Sequence, residues 1–393
     1  MNMVPRFSIV TPSYNQAAFI GETIESVLSQ EGEFEIEYLV MDGGSRDGSV
    51  EVIIRYADQV AAGDWPVRCA GISMVWVSQR DRGQSDAINR GLRRATGDLV
   101  SYINSDDLYY PGTFERVAQE FARRPEVDFV YGDGDVIDEA GRLQWEWLSR
   151  PYDHSLMTSY HFLWNDFTNY MMQQATFWRS NVMNRIGYFD EAFHYAMDVE
   201  YWIRAGHAGL RLQHVPHKLG KFRMIQGTKS LSSPTAFWED QLEIYRRYRG
   251  ISALDVFFGY YYYNVARHVD YDLERTLEKG KQVLSRWDGL PLTERKLIAE
   301  QADRGFALAC LLIANELCRQ NLYRTASTAF TRGISNSPLL RLHPFALAYL
   351  LRRIAGRRLS RVFDSWLQRL ILAYRRVRYE YRYIGRRRHA EEH

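Results

Sequence analysis

The stretch Asn104-Ser-Asp-Asp107 sets two adjacent carboxylates, Asp106 and Asp107, after the apolar run Leu99–Ile103 and ahead of Pro111. Oxygen ligands suit hard cations such as Mg²⁺ and Mn²⁺, which take one or two protein carboxylates and complete their shell with substrate phosphates. The same pair also reads as a cap for the helix entered through Pro111, and the stretch alone leaves both readings open. A second candidate is Asp42-Gly-Gly-Ser-Arg-Asp-Gly48. It has neither the Gly-Lys-Ser/Thr of a P-loop nor the GxGxxG of a dinucleotide fold. An Asp at a strand end can instead accept from a base-ring N–H, while the glycines let a ligand approach the backbone.

The elements that must position these residues alternate along the first 135 positions. Phe7–Thr11, Tyr38–Met41, Ile72–Val77, Leu99–Ile103 and Phe129–Tyr131 read as strands. Glu22–Gln30, Val50–Tyr56, Ser85–Ala95 and Gly112–Arg123 carry apolar residues at helical spacing. Continuous apolar strands alternating with amphipathic helices indicate an α/β fold whose parallel sheet is covered on both faces. In such sheets ligands lie beyond the carboxyl ends of the strands. Pro12–Asn15, Asp42–Ser45, Ser78–Arg82 and Asn104–Asp107 all follow strands, so four polar clusters converge on one edge. From about 150 to 230 the alternation lapses around one clear helix, Asp198–Ala205, and from about 236 the pattern is mainly helical. Gly305–Pro338 resembles a single tetratricopeptide-type helical hairpin, with one copy and hence no solenoid.

At 393 residues the chain accommodates two domains, or one with a large extension. With 46% hydrophobic and 25% charged residues, wholesale disorder is excluded. The high aromatic content, 14%, suits core packing and equally flat surfaces for sugars or bases. Cys69, Cys310 and Cys318 form neither a zinc spacing nor a disulfide framework, which points to a reducing, cytoplasmic setting. No secretory signal is expected at the N-terminus, and no run approaches the ~18–20 apolar residues that span a bilayer. Net charge is +2 but uneven: residues 351–388 hold 13 Arg against Asp364 and Glu380. That leaves residues 1–350 at −7 and calls for an anionic partner at the basic end. No nucleic-acid-binding fold accompanies the arginines, so a nucleic-acid partner is not expected.

Val10-Thr-Pro-Ser-Tyr-Asn-Gln16, Glu25–Gln30, Tyr38–Val50, Asp81–Gly91, Ala95-Thr-Gly-Asp98 and Asn104–Asp107 stand in an order and spacing that resemble the family-2 glycosyltransferases over roughly residues 5–230. The resemblance implies a GT-A fold, a Rossmann-like mixed sheet with helices on both faces. It implies inverting transfer from a nucleotide-diphosphate sugar to an acceptor hydroxyl, assisted by Mn²⁺ or Mg²⁺. By the same resemblance Pro12 and Tyr14 contact the donor base and Asp42 binds its ring N–H or the ribose. Arg82 and Asp86 lie along the donor, with Arg82 directed to the diphosphate. Asn104 contributes to donor binding, Asp106 is the preferred metal ligand, and Asp107 a supporting or alternative one. Asn104 stands where the pattern often has Asp, and brings no charge to a metal.

On the acceptor side, Gln173–Trp178, Ile186–Asp190 and Ala196–Arg204 also resemble the family, which implies Asp198 as general base. Its place at a helix start favours the carboxylate form. Glu200 and Arg204, four apart, read as a surface helix pair. His214-Val-Pro-His217 and Lys218–Ser230 match the end of the catalytic domain. Arg223 and Lys229 are candidates for the diphosphate, and the histidines have no fixed metal spacing. The expected organisation is a catalytic domain over 1–235, with a donor half over 5–135 and an acceptor half over 136–235. A helical region over 236–393 follows, with the basic amphipathic tail 351–388. A glycan or lipid-linked glycan acceptor and an anionic membrane surface are the expected partners. The competing readings are a catalytically inactive scaffold of the same fold and a nucleotidyltransferase. The latter would carry a glycine-rich loop after the first strand, where this chain has Thr-Pro-Ser-Tyr-Asn.

Overall fold

The computed structural model describes residues 4–158, 171–225, 235–343 and 345–353. Two compact units divide the chain, Met1–Arg249 and Gly250–His393.

The first unit is built on a mixed sheet with β1 (Arg6–Ser13), β2 (Gly32–Asp42), β3 (Cys69–Ser78), β4 (Leu99–Tyr102), β5 (Leu108–Tyr109), β6 (Phe129–Ile137), β7 (Leu143–Trp147), β8 (Thr176–Arg179) and β9 (Leu212–Arg223). The spatial order is β3-β2-β1-β4-β8-β6-β9-β5, with β7 paired to β6. The first four positions in that order run parallel and form the donor half. Beyond β4 the sheet becomes mixed, as β8 runs antiparallel to both β4 and β6 while β9 runs parallel to β6. Helices α1 (Ile20–Leu28), α2 (Ser49–Ala62), α3 (Gln84–Leu92) and α4 (Thr113–Arg123) follow the early strands. Their apolar faces meet a core in which the Phe7 ring stacks on Phe114 at 4.9 Å and meets Phe34 edge-on at 5.4 Å. At Gly91 an added Cβ would stand 2.4 Å from Val10 Cγ1, so α3 can lie this close to β1 only through glycine.

Two strands are longer than their hydropathy suggests. β6 continues past Tyr131 through Gly132-Asp-Gly-Asp135 to Ile137, buried throughout. Its carboxylates are compensated: Asp133 accepts from the Ser149 N–H (2.8 Å) and pairs with His214 Nε2 (2.9 Å), and Asp135 pairs with Lys218 (2.8 Å). Residues 212–223, read from sequence only as a domain end, form the twelve-residue β9. Pro216 and His217 are exposed where the register to β6 is irregular, which hides the strand from a periodicity reading. His214 and His217 are taken up by Asp133 and Arg116, not by a metal constellation. The unit is completed by α5 (His154–Met157), α6 (Val182–Ile186), α7 (Met197–His207) and α8 (Ala236–Arg249).

The second unit is helical: α9 (Leu254–Arg267), α10 (Leu273–Val283), α11 (Leu292–Arg319) and α12 (Tyr323–Asn336). Small residues set its packing, with Ala266, Ala314, Ala326 and Ala329 buried against Ile313 and Leu317. The hairpin expected over 305–338 is α11 and α12, joined through Asn321 at φ 66°. Burial pushes the Cys310 thiol up to about 12, which makes it inert. Among the described residues no helix is long and apolar enough to cross a membrane. The tail beyond 353 and Lys229 lie outside the described residues.

Candidate active site

The carboxyl ends of β1, β2 and β3 finish level, with Ser13 beside Asp42 and Asp42 beside Ser78, and β4 ends three residues earlier, with Tyr102 beside Val10. The chain leaves the sheet at each of these points, and the four polar clusters therefore meet. Asp42 is 3% exposed. Its carboxylate accepts from the N–H groups of Gly44 (2.9 Å) and Ser45 (3.0 Å) and from the hydroxyls of Ser45 (2.5 Å) and Ser78 (2.6 Å). It thus binds its own glycine turn to the end of β3. A Cβ on Gly43 would lie 2.6 Å from Asp81 Oδ2 and 3.3 Å from the Tyr14 ring, so glycine is what allows these segments to close together.

A cleft of about 1310 Å³ opens above the strand ends. From the strand-end loops and the start of α3, Pro12, Tyr14, Gly43, Arg46, Arg80, Asp81, Gln84, Asn104 and Asp106 border it. From β7, β9, α8 and the entry to α7, Trp147, Tyr195, Asp198, Phe222, Phe237 and Trp238 also border it. Tyr14 is 63% exposed, so its ring is a wall of the cleft and not core packing.

Asp106 and Asp107 have opposite surroundings. Asp107 is fully buried. Its carboxylate accepts from the Arg223 N–H (2.8 Å), Gln174 Nε2 (2.8 Å) and Asn104 Nδ2 (3.0 Å). Burial, and then the charge of Asp106, push its pKa well above the usual range against those hydrogen bonds. Asp106 borders the cleft, and no side chain among the described residues hydrogen-bonds its carboxylate. Burial raises its pKa to about 6, opposed by its own backbone N–H and by Arg223. Arg223, itself buried, donates to the carbonyls of Asp106 (2.9 Å) and Glu139 (2.8 Å) and to Glu22 Oε2 (2.6 Å). This cation, a sequence candidate for the diphosphate, is wired into the loop that carries Asp106. Asn104 ties the Asp106 loop to the start of α3, since its Oδ1 accepts from Gln84 Nε2 (2.6 Å).

Asp198 is the second residue of α7 and accepts from the Val199 N–H at 2.8 Å. It lies where the helix dipole stabilises a carboxylate. Asp106 and Asp198 therefore face one cavity from a strand-end loop and a helix N-terminus.

The family comparison decides the class of protein. The profile described as "Glycosyl transferase family 2" matches residues 8–225, more than half of the chain. The chain belongs to this family. The glycosyltransferase is 28% identical over 202 residues to a "PGL/p-HBAD biosynthesis glycosyltransferase" of Mycobacterium tuberculosis strain H37Ra, covering 51% of this chain and 69% of the relative. It is 26% identical over 207 residues to an uncharacterized glycosyltransferase of Rickettsia typhi, covering 51% and 58%. Among solved structures it is similar to Staphylococcus aureus TarS 1-349 in complex with UDP-GlcNAc, with TM-score 0.48, 16% identity, and coverage of 84% and 89%. A longer TarS structure is covered over 55% of its length. The mannosyltransferase PcManGT from Pyrobaculum calidifontis, in complex with GDP-Man and Mn²⁺, gives TM-score 0.43 and 16% identity over 90% and 85%.

Not all sequence candidates of the glycosyltransferase border the cleft. Pro12, Tyr14, Asn104, Asp106, Asp198 and Arg223 do, whereas Asp42, Asp107, Arg82 and Asp86 do not. Arg82 is turned to Asp86 (3.1 Å) and Glu191 (2.7 Å). Asp86 is 3% exposed; burial alone would raise its pKa, but the Arg82 N–H and the guanidinium groups of Arg82 and Arg90 hold it below the usual range. Arg46 and Arg80, passed over from sequence, border the cleft instead. Arg80 lies two residues past the end of β3, and its strand-end position was the available signal. The Glu200–Arg204 pair is not a surface pair. Glu200 is 2% exposed and holds Arg204 Nη2 at 2.6 Å, because α7 is packed on nearly every side.

Proposed function

We propose that this glycosyltransferase transfers a sugar, with inversion, from a nucleotide-diphosphate donor to a hydroxyl of a glycan or lipid-linked glycan acceptor. The observation that carries the reading is Asp106 and Asp198 bordering one cleft, from a strand-end loop and a helix N-terminus. In this reading the donor base lies against Pro12 and the exposed Tyr14 ring, over the glycine turn that Asp42 holds. Asn104 offers an amide to the ribose. Arg46 and Arg80 are the cations nearest the diphosphate, while Arg82 and Asp86 brace the start of α3 beside it.

Asp198 takes the proton of the attacking hydroxyl. A well-placed base of this kind contributes roughly 10²–10⁴-fold in rate. Among the described residues no group of three or more His, Cys, Asp or Glu gathers to hold a metal by itself. One accessible carboxylate without a hydrogen-bonding side chain, Asp106, does fit Mg²⁺ or Mn²⁺, which bind through one or two carboxylates together with substrate phosphates. Such a cation would supply charge neutralisation for the departing diphosphate. Asp107 serves by fixing the loop.

In the same reading residues 1–235 are the catalytic domain, with donor and acceptor halves meeting near 135. The acceptor belongs to surface polysaccharide or glycolipid synthesis on the cytoplasmic side of a membrane. The name of the mycobacterial relative, a "PGL/p-HBAD biosynthesis glycosyltransferase", supports a biosynthetic role.

The test is release of nucleoside diphosphate from a panel of UDP-, dTDP- and GDP-sugars with Mn²⁺, Mg²⁺ or EDTA. Asp198→Asn is expected to slow transfer by about 10²-fold or more, and Asp106→Ala and EDTA to abolish metal-stimulated turnover. A wild-type rate equal to that of both variants would leave only an inactive scaffold.

A further inference from the structure

The family match ends at residue 225, yet α8, which begins at Ala236, grips the helix that carries Asp198. Asp240 of α8 is 3% exposed, and its Oδ2 accepts from the N–H groups of Tyr195 (2.8 Å) and Ala196 (3.2 Å). Ala196 is the N-cap residue of α7 and makes no side-chain cap hydrogen bond. An alanine side chain cannot accept a hydrogen bond, so the N–H groups at 195 and 196, where the chain enters this helix, are met from a different helix.

Farther along, the Tyr248 hydroxyl donates to Glu200 Oε1 at 2.7 Å. Arg247 donates to Asp190 Oδ2 at 2.6 Å and lies over the Phe193 ring at 4.7 Å. Three side chains of α8 thus clamp α7 and the segment leading into it. Phe237 and Trp238 of the same helix border the cleft.

We infer that Asp240 is a positioning residue, setting where the Asp198 carboxylate stands toward the acceptor hydroxyl. The inference rests on the reading of Asp198 as the base. Asp198 lies only two residues past Ala196, so freeing the N–H groups at 195 and 196 lets the first turn shift. Displacing a reacting group by 1 Å can cost about 10²-fold in rate.

The experiment is a double-mutant cycle in the full chain, with a donor of the above panel. Asp240→Ala is expected to lower kcat by about 10-fold or more, leaving UDP affinity by calorimetry within about twofold. In an Asp198→Asn background the same change is expected to add nothing. If Asp240→Ala does not fold, Asp240→Glu displaces the carboxylate while keeping its charge and is expected to show the same pattern. Asp240→Asn, which retains an acceptor oxygen, is expected to recover most of kcat. Equal losses from Asp240→Ala in both backgrounds, or a parallel fall in UDP affinity, would overturn the inference and leave the base reading intact. Undiminished transfer by Asp198→Asn, or no turnover of any donor by the wild type, would overturn both.

Discussion

At the scale of single residues, the adjacent carboxylates of the strand-end loop divide the work of the site between them. Asp107 is buried with three N–H donors on its two oxygens, so an amide in its place would turn donors toward donors. Asp107→Asn is therefore expected to cost about 1–3 kcal/mol, read as a lowered midpoint in urea. Asp106 carries a desolvated charge with no hydrogen-bonding side chain. Asp106→Asn is expected to leave that midpoint unchanged or raise it, while removing metal-stimulated turnover. A comparable loss of stability in both variants would show that Asp106 is also a structural anchor. The sequence displayed both carboxylates and the departure at Asn104. It did not display which was enclosed, because the enclosing groups, Gln174 and Arg223, lie 67 and 116 positions farther along.

At the scale of elements, the motif Ala95-Thr-Gly-Asp98 serves the opposite end of the sheet from the cleft. The Thr96 N–H (2.7 Å) and hydroxyl (2.7 Å) donate to Glu37 of β2, and the Gly97 N–H donates to Ser8 of β1 (2.8 Å). The Ser8 hydroxyl donates to Glu37, and Arg6 lies 3.8 Å away. This motif joins the amino ends of three parallel strands. Burial alone would raise the Glu37 pKa, but these donors and Arg6 together hold it below the usual range. The unfolded chain then binds the proton more readily than the folded one. The resulting stabilisation is complete above the unfolded pKa, about 4.3, and is lost as pH falls through the lower folded value. Glu37→Gln is expected to lower the melting temperature at pH 7 and to narrow its gap to wild type below about pH 4. A constant gap across that range would rule out ionisation as the cause. The early strands were legible because both their faces are apolar. β9 was not, because its buried positions, Val215, Leu219, Gly220 and Arg223, are irregularly spaced around the exposed Pro216 and His217.

At the scale of the whole molecule, charge is the feature that composition already exposes. A body at −7 precedes a segment with 13 Arg in 38 residues, mixed with Leu, Trp and Tyr. Each basic residue near an anionic bilayer is worth about 1 kcal/mol, and the attraction weakens with salt. The full chain is expected to sediment with vesicles containing phosphatidylserine at low salt and to be released at high salt. A variant ending at residue 353 is expected to remain in solution. Salt-insensitive binding, or equal binding to neutral vesicles, would remove the electrostatic basis for a membrane partner.

By itself the sequence determined the family, the parallel donor half and the convergence of Asp42, Asn104 and Asp106 at strand ends. Those follow from local apolar periodicity and from motifs whose members lie close together in the chain. Only the tertiary structure decided which candidates face the cleft. Arg223 borders the cleft but is bound to the Asp106 loop, Arg46 and Arg80 border it where Arg82 does not, and Asp240 holds the segment leading to Asp198. The physical reason is that a polar side chain at a buried strand or helix end is claimed by whichever donor or acceptor the fold brings within about 3 Å. Neither the spacing of motifs nor the period of an element encodes that meeting.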